Sequence, residues 1–305
     1  MKIHTDLTQL VGNTPLLEAR RLTQALGIKV RLLLKLEAFN PGGSIKDRVA
    51  LAMIEDAERK QQLMPGGTII EATSGNTGIG LAWIAKIKGY RLILTMPETM
   101  SVERQKMLKL MGAEVVLTPG TEGMNGAVKK AEQLRSETPG SIIMQQFDNE
   151  ACVTAHALHT GREILEATEG HMNALIAGVG TGGTLTGIAK TLKGHDEKVR
   201  VIAVEPATSH VLSGGKAGAH KIQGIGAGFI PSIYDATLVD EIVQVLDADA
   251  IEGVNLLLQY EGLFCGISSG AALSAALRVA KRPEMLNATL VVILPDTGNR
   301  YLSLL

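Results

Sequence analysis

Residues 67–78, GTIIEATSGNTG, join a short apolar run to a polar, glycine-rich loop and the beginning of a helical pattern. The first seven residues have the β-branched, near-continuous apolar character of a buried strand. After Asn76, apolar residues recur at spacings of four, which indicates one face of a helix: Ile79, Trp83 and Ile87. Strand, loop and helix in this order predict an α/β fold with mostly parallel strands.

Other apolar runs of strand length repeat this pattern along the chain. They lie at 30–37, 91–97, 113–119, 141–147, 173–180, 199–206 and 289–296. Helical patterns with start and stop signals separate them, including one that begins near Asp47 and one that begins near Ser101. We therefore expect two α/β lobes, with the seam near 148–155.

Composition argues against several classes of protein. The 305 residues contain 30 Lys plus Arg and 31 Asp plus Glu, a formal net charge of -1, so no bulk field attracts nucleic acid or an anionic membrane. Aromatic residues are 3% of the chain, too few for a base-stacking surface. No signal peptide or membrane-length apolar run is present, and Cys152 and Cys265 suggest no disulfide framework. We expect a cytoplasmic protein that recognises small partners locally.

A candidate catalytic lysine lies in NPGGSIKDR, residues 40–48. Gly42 and Gly43 permit a tight turn, and Ser44 precedes a helix whose first turn contains Lys46. The positive end of the helix dipole and partial burial would both favour the neutral amine, the form that attacks a carbonyl. The alternative is a solvated helix start, which is the commoner situation for a lysine.

Two glycine-rich loops follow predicted strands and are candidate anion sites. The loop 74–78, SGNTG, combines side-chain donors with exposed backbone N–H groups, although a tight strand-to-helix connection explains it equally well. The loop 178–187, GVGTGGTLTG, adds the hydroxyls of Thr181 and Thr184 at a helix N-terminus, a natural phosphate cradle.

The second loop leaves two nucleotide-binding interpretations to consider. It is not a Walker A loop, because it lacks the terminal Gly-Lys-Ser/Thr. Gly178, Gly180 and Gly183 match a dinucleotide-binding G-x-G-x-x-G, so NAD stays open on these residues alone.

Two later loops and a pair of histidines give weaker signals. CGISSGAA (265–272) places serines before a helix, where they commonly act as N-caps, and HKIQGIGAGFIP (220–231) is typical of a mobile or ligand-facing loop. His156 and His159 have no third metal ligand nearby and are predicted to be ordinary helix residues.

Taken in order, these stretches resemble the fold type II pyridoxal-phosphate enzymes, most closely the cysteine synthase (O-acetylserine sulfhydrylase) family. The resemblance extends over nearly the whole chain: VGNTPL (11–16), NPGGSIKDR, EATSGNTGIGLA (71–82), LTMPETMSVER (94–104), QQF (145–147), GVGTGGTLTG, HKIQGIGAGFIP, GISSGAA (266–272) and GNRYLS (298–303). It removes NAD from contention. It implies two three-layer α/β lobes with mostly parallel sheets, like the tryptophan synthase β-subunit. Residues 38–152 would form a smaller, mobile domain with the lysine helix and the substrate loop, and 1–37 plus 153–305 a larger cofactor-binding domain.

The resemblance also implies roles for single residues. Lys46 would form the Schiff base with pyridoxal 5'-phosphate. The other implied cofactor-binding residues are Asn76, Gly180, Thr181, Gly182, Gly183, Thr184 and Ser268. The implied substrate-binding residues are Thr73, Ser74, Gly75, Thr77, Gln146 and Gly224. No metal is expected.

The implied reaction is a β-replacement that converts O-acetyl-L-serine and sulfide into L-cysteine through an aminoacrylate intermediate. One alternative hypothesis keeps this chemistry but uses O-phosphoserine or serine as the donor, or homocysteine as the acceptor, as in cystathionine β-synthase. A second alternative, of another class, is a non-catalytic regulatory or binding module of the same fold. Residues 148–163, DNEACVTAHALHTGRE, depart from the family pattern. A homodimer and binding of the C-terminal tail of serine acetyltransferase are implied as well.

Overall fold

The computed structural model describes residues 3–302 and Leu304, which divide into two compact units. Unit 1 comprises the described residues of Met1–Val11 and Lys46–Cys152, and unit 2 those of Gly12–Ile45 and Val153–Leu305. The predicted domains differ from these units in two segments: residues 38–45 lie in unit 2, not with 46–152, and the described part of 1–11 lies in unit 1. Residues 1, 2, 303 and 305 of the predicted domains lie outside the described residues. Residues 44 and 45 belong to unit 2 because Ser44 forms a β-bridge with Asp296 and the Ile45 N–H donates to the Pro295 carbonyl.

The regular elements alternate along the chain. The strands are β1 (Leu16–Glu18), β2 (Arg31–Leu36), β3 (Thr68–Ala72), β4 (Arg91–Pro97), β5 (Glu114–Thr118), β6 (Ser141–Ile143), β7 (Ala174–Gly178), β8 (Arg200–Pro206), β9 (Glu241–Val245) and β10 (Thr289–Leu294). The α-helices are α1 (Arg20–Ala25), α2 (Lys46–Arg59), α3 (Asn76–Lys88), α4 (Val102–Leu110), α5 (Gly123–Glu137), α6 (Glu150–Ala155), α7 (Gly161–Thr168), α8 (Gly183–His195), α9 (Asp247–Leu256) and α10 (Ile267–Ala280). π-Helical turns occupy His156–Thr160 and Leu257–Glu261. Over residues 3–302 and Leu304, no helix is both long and apolar enough to cross a membrane.

The sheet of unit 2 has the strand order β1-β2-β10-β7-β8-β9, with β1 antiparallel to β2 and the other pairs parallel. Successive residues of β2 belong to different buried clusters. Leu32 and Leu34 pack with α10, whereas Leu33 packs with the cluster that contains α8. The sheet is therefore covered on both faces, which explains its near-continuous apolar strands.

The sheet of unit 1 has the order β5-β4-β3-β6, and all its strand pairs are parallel. Ile70 and Ile93 pack against Ala131 of α5 on one face. Helix α3 covers the other face, where a Cβ added at Gly78 would lie 3.3 Å from Leu94. Both units are thus three-layer α/β structures, and the predicted fold class is confirmed.

The predicted strand 141–147 ends earlier than the apolar run indicates. β6 stops at Ile143, because Gln145 adopts a left-handed conformation with φ 54° and turns the chain away from the sheet. β1 and β9 were not predicted from the sequence. β1 has three residues and pairs only with β2, so it carries little periodic signal.

A buried ion pair fixes the segment around Asn13 and Thr14 in unit 2. The side chain of Lys35 on β2 is 2% exposed, and its Nζ donates to Glu163 Oε2 and to the Thr14 carbonyl, both at 2.7 Å. The second carboxylate oxygen of Glu163 accepts the N–H of Asn13 at 2.9 Å. Each oxygen of Glu163 therefore serves a different donor.

Candidate active site

The first residue of helix α2 is Lys46, so the predicted lysine lies in the N-terminal turn of a helix in unit 1. The next residue, Asp47, is fully buried and accepts a hydrogen bond of 3.1 Å from the indole Nε1 of Trp83 on α3. A Cβ added at Gly80 would lie 3.0 Å from the Lys46 carbonyl oxygen, so only glycine permits this close approach of α3. The backbone that carries Lys46 is therefore held firmly against α3.

The loop between β3 and α3 lies at the carboxyl end of a parallel strand, the usual ligand edge of such sheets. The N–H of Gly75 donates to the hydroxyl of Thr73 at 3.2 Å, and the guanidinium of Arg104 donates to the Ser74 carbonyl at 2.8 Å. A side chain within the loop and one on α4 therefore fix the conformation of this loop.

The residues predicted for a substrate carboxylate meet in unit 1. The hydroxyl of Thr77 donates to Oε1 of Gln146 at 2.6 Å, and Thr73, Thr77 and Gln146 are all buried. Since the Gln146 amide oxygen is engaged in this bond, its amide N–H₂ is the group that can donate to a carboxylate.

Glu71 on β3 supports this arrangement, although it was not among the predicted site residues. Its carboxylate accepts the backbone N–H groups of Gln145 at 3.1 Å and Gln146 at 3.4 Å. Burial raises the pKa of Glu71 to about 7, and the backbone donors from 144–146 oppose that rise. In the sequence, Glu71 is a charged residue inside an apolar strand and the first residue of EATSGNTGIGLA (71–82), from which no role for it was predicted.

The predicted phosphate cradle lies between β7 and α8 in unit 2. Gly182 has a left-handed φ of 87°, and a Cβ there would lie 2.8 Å from Tyr234. A Cβ at Gly180 would overlap the carbonyl oxygen of Gly224. The first backbone N–H groups of α8 have no acceptor within the helix and carry the positive end of its dipole, so the turn suits an anion.

The remaining predicted residues of unit 2 lie beside this cradle. Gly224, with φ 94°, approaches both Gly180 and Ser268, since its Cβ would lie 3.8 Å from the Ser268 hydroxyl oxygen. Ser268 is the second residue of α10 and is buried. The loops 220–231 and 265–272 are thus brought together with the glycine-rich turn.

Each unit assembles its own set of predicted residues. Unit 1 contains Lys46, Thr73, Ser74, Gly75, Asn76, Thr77 and Gln146. Unit 2 contains Gly180, Thr181, Gly182, Gly183, Thr184, Gly224 and Ser268.

The two cysteines are not activated nucleophiles. Burial raises the pKa of the Cys152 thiol and of the Cys265 thiol to about 12. A thiol of that pKa is protonated at neutral pH and packs as a small apolar group.

Comparisons with known proteins identify the family of the chain. The family model described as pyridoxal-phosphate dependent enzyme matches residues 7–296. Proteins named cysteine synthase from Staphylococcus aureus strains Mu50 and N315 are 50% identical over 299 residues, 98% of this chain and 95% of theirs.

Solved structures of similar proteins share the fold of this chain. The cysteine synthase of Entamoeba histolytica superposes with a TM-score of 0.96 at 44% identity, covering 99% of this chain and 90% of that one. A hydrogen sulfide-producing enzyme from Fusobacterium nucleatum gives a TM-score of 0.95 at 41% identity, covering 99% of both chains. The resemblance predicted from the motifs is confirmed, and the chain belongs to the pyridoxal-phosphate-dependent enzyme family.

Proposed function

We propose that this chain is a cysteine synthase, which makes L-cysteine from O-acetyl-L-serine and sulfide by β-replacement. The observation that carries the proposal is the 50% identity over 98% of the chain to relatives that bear this name. The physical support is the presence, within the two units, of a helix-start lysine, an anion cradle and a carboxylate pocket.

The residues of unit 2 fit pyridoxal 5'-phosphate. The glycine turn offers backbone N–H groups where side chains would collide, and the hydroxyls of Thr181 and Thr184 add donors for a phosphate. The hydroxyl of Ser268 can donate to a pyridine nitrogen but cannot hold a positive charge there as an aspartate would. When bound, the cofactor supplies the electron sink for chemistry at the α-carbon of an amino acid.

The residues of unit 1 would bind the substrate and move its proton. Lys46 would hold the cofactor through its side-chain amine, and the same amine, when free, would act as the general base for the α-proton of the substrate. Asn76 would bind the ring hydroxyl of the cofactor. Thr73, Ser74, Gly75, Thr77 and Gln146 would bind the substrate carboxylate, with the Gln146 amide oriented by the Thr77 hydroxyl.

The test is an absorbance spectrum of the full-length protein with pyridoxal phosphate, before and after O-acetylserine is added without sulfide. We expect a band of lysine-linked cofactor that shifts on addition and returns when sulfide is supplied, with L-cysteine as product. Lys46→Ala should abolish the initial band, whereas Lys106→Ala, an exposed lysine on α4, should retain it. Retention of the band in Lys46→Ala would contradict the assigned role.

The same assay separates the alternatives. A band that ignores O-acetylserine but responds to O-phosphoserine or serine would change the donor, and turnover with homocysteine would change the acceptor. Sulfide release from L-cysteine is measured in parallel, because one similar enzyme is described as hydrogen sulfide-producing. Absence of any band with added cofactor would favour a non-catalytic binding module.

The family resemblance also supports proposals about the oligomeric state, the domain movement and the cellular location of the protein. We infer a cytoplasmic homodimer, to be tested by fractionation and light scattering. The C-terminal peptide of a serine acetyltransferase should compete with O-acetylserine. The domain 38–152 is proposed to move on substrate binding, and Trp83, which is the one tryptophan of the sequence, should then change its fluorescence.

A further inference from the structure

His156 lies in a π-helical turn that packs directly against the cradle helix α8. It is fully buried and begins the turn His156–Thr160. At Gly187 of α8, a Cβ would overlap the Val153 carbonyl and lie 2.7 Å from the His156 Cβ. The Thr191 hydroxyl of α8 donates to the Ala157 carbonyl at 2.7 Å, so polar contacts as well as close packing fix the helix to the turn.

Both ring nitrogens of His156 contact threonine hydroxyls. Nδ1 lies 3.0 Å from Thr160 Oγ1, and Nε2 lies 3.1 Å from Thr184 Oγ1. Thr184 is the last residue of the proposed phosphate cradle and the second residue of α8. The imidazole therefore connects the π-helical turn to the cradle.

The direction of these bonds follows from what Thr184 must do. A hydroxyl has one hydrogen, and to donate it to a phosphate oxygen Thr184 must accept, through a lone pair, from its protein partner. The partner must then be an Nε2–H group. In the neutral ring this leaves Nδ1 as an acceptor for the hydroxyl hydrogen of Thr160. The reverse tautomer would draw the Thr184 hydrogen toward Nε2 and away from the anion.

We propose that His156 is a positioning residue of the phosphate cradle, and that its Nε2–H tautomer directs the Thr184 hydroxyl at the phosphate. The proposal rests on the proposed function, since it takes the cradle at 180–184 to bind the cofactor phosphate. Replacement of a residue that orients a ligand-contacting side chain typically lowers the affinity for the ligand tenfold or more.

The test compares the affinities of the full-length protein for pyridoxal 5'-phosphate and for pyridoxal, which lacks the phosphate. The ratio of the two dissociation constants isolates the phosphate contribution, because both ligands can react with a lysine. His156→Leu should lower the preference for the phosphorylated ligand about tenfold, and His156→Gln, whose amide nitrogen can replace Nε2–H, should restore most of it. His159→Leu, an exposed residue of the same turn, is the matched control and should leave the ratio unchanged.

A double-mutant cycle with Thr184→Val separates positioning from general destabilisation. In the Thr184→Val background, His156→Leu should have no further effect on the ratio. A full tenfold effect in that background, or none in the wild-type background, would overturn the role of His156. A wild-type protein with no preference for the phosphorylated ligand, or a Thr184→Val variant that keeps its full preference, would instead contradict the cradle assignment.

A measurement on the unmodified protein covers the case in which His156→Leu fails to fold. Nitrogen-15 NMR of histidine-labelled protein with bound cofactor, assigned by loss of one signal in His156→Gln, should show His156 protonated at Nε2 alone. Protonation at Nδ1 alone would overturn the proposal.

Discussion

Replacement of Glu163 by glutamine is expected to destabilise unit 2 by about 3 to 4 kcal/mol, because it breaks a buried ion pair while keeping the side-chain volume. Lys35 is 2% exposed and Glu163 14% exposed, so little water can compensate the lysine. Glutamine also has one acceptor oxygen where Glu163 uses two, so either Lys35 or the Asn13 N–H must face an N–H₂ group.

The assay is guanidinium unfolding followed by far-ultraviolet circular dichroism, with the midpoint compared at unchanged slope. The matched control is Glu18→Gln in the same unit. Glu18 pairs with Arg20 and Arg31, whose side chains are 73% and 50% exposed, so its replacement should cost about 0 to 1 kcal/mol.

A second variant tests the cause of the loss. Adding Lys35→Met to Glu163→Gln removes the uncompensated charge, so the double variant should be more stable than Glu163→Gln alone. A Glu163→Gln protein within about 1 kcal/mol of wild type, or a double variant less stable than the single one, would refute the reasoning.

Three further predictions follow from burial and packing. Since the pKa of Glu71 is raised from 4.5 to about 7, its contribution to stability, about 3 kcal/mol, is fully present below pH 4.5 and is lost as the pH rises through 7. This loss should appear in the free energy of urea unfolding of the wild-type protein and be absent in Glu71→Gln. Equal pH profiles of the two proteins would contradict the prediction. Gly187→Ala should destabilise the protein by about 2 kcal/mol in thermal unfolding, because the added Cβ would overlap the Val153 carbonyl. Gly194→Ala, on the same helix with no atom within 4 Å of the added Cβ, should stabilise the protein by up to about 1 kcal/mol. Equal effects of the two substitutions would refute the close packing at Gly187. Cys152 and Cys265 should react with a thiol reagent at pH 8 only after denaturation, and rapid labelling of the native protein would contradict their raised pKa values.

The sequence was most informative where structure is local. Strand 91–97 and the helix after Asn76 were predicted with nearly their observed limits, because apolar periodicity and the glycine at 89 are properties of neighbouring residues. The glycine-rich turn between β7 and α8 was likewise predicted as a strand-to-helix loop, since its glycines and threonines are contiguous.

The features that were missed depend on contacts between distant segments. The early end of β6 requires Glu71 to bind backbone groups of Gln145 and Gln146, which lie far along the chain. The proposed role of His156 depends on Gly187, which lets α8 approach the turn that contains His156. Likewise, residues 44 and 45 join unit 2 through 295 and 296. No local pattern records such pairings.

The interrupted course of unit 2 has a consequence for folding during synthesis. β2 is synthesised before β10, with which it pairs in parallel through the register Arg31 to Thr289, and residues 37–288 separate the two strands. Residues 46–152, by contrast, contain the whole sheet of unit 1 and can pair as soon as they emerge. The β10-facing edge of β2 must therefore stay unpaired until residues 37–288 have been translated, which exposes an apolar strand edge to aggregation during that time.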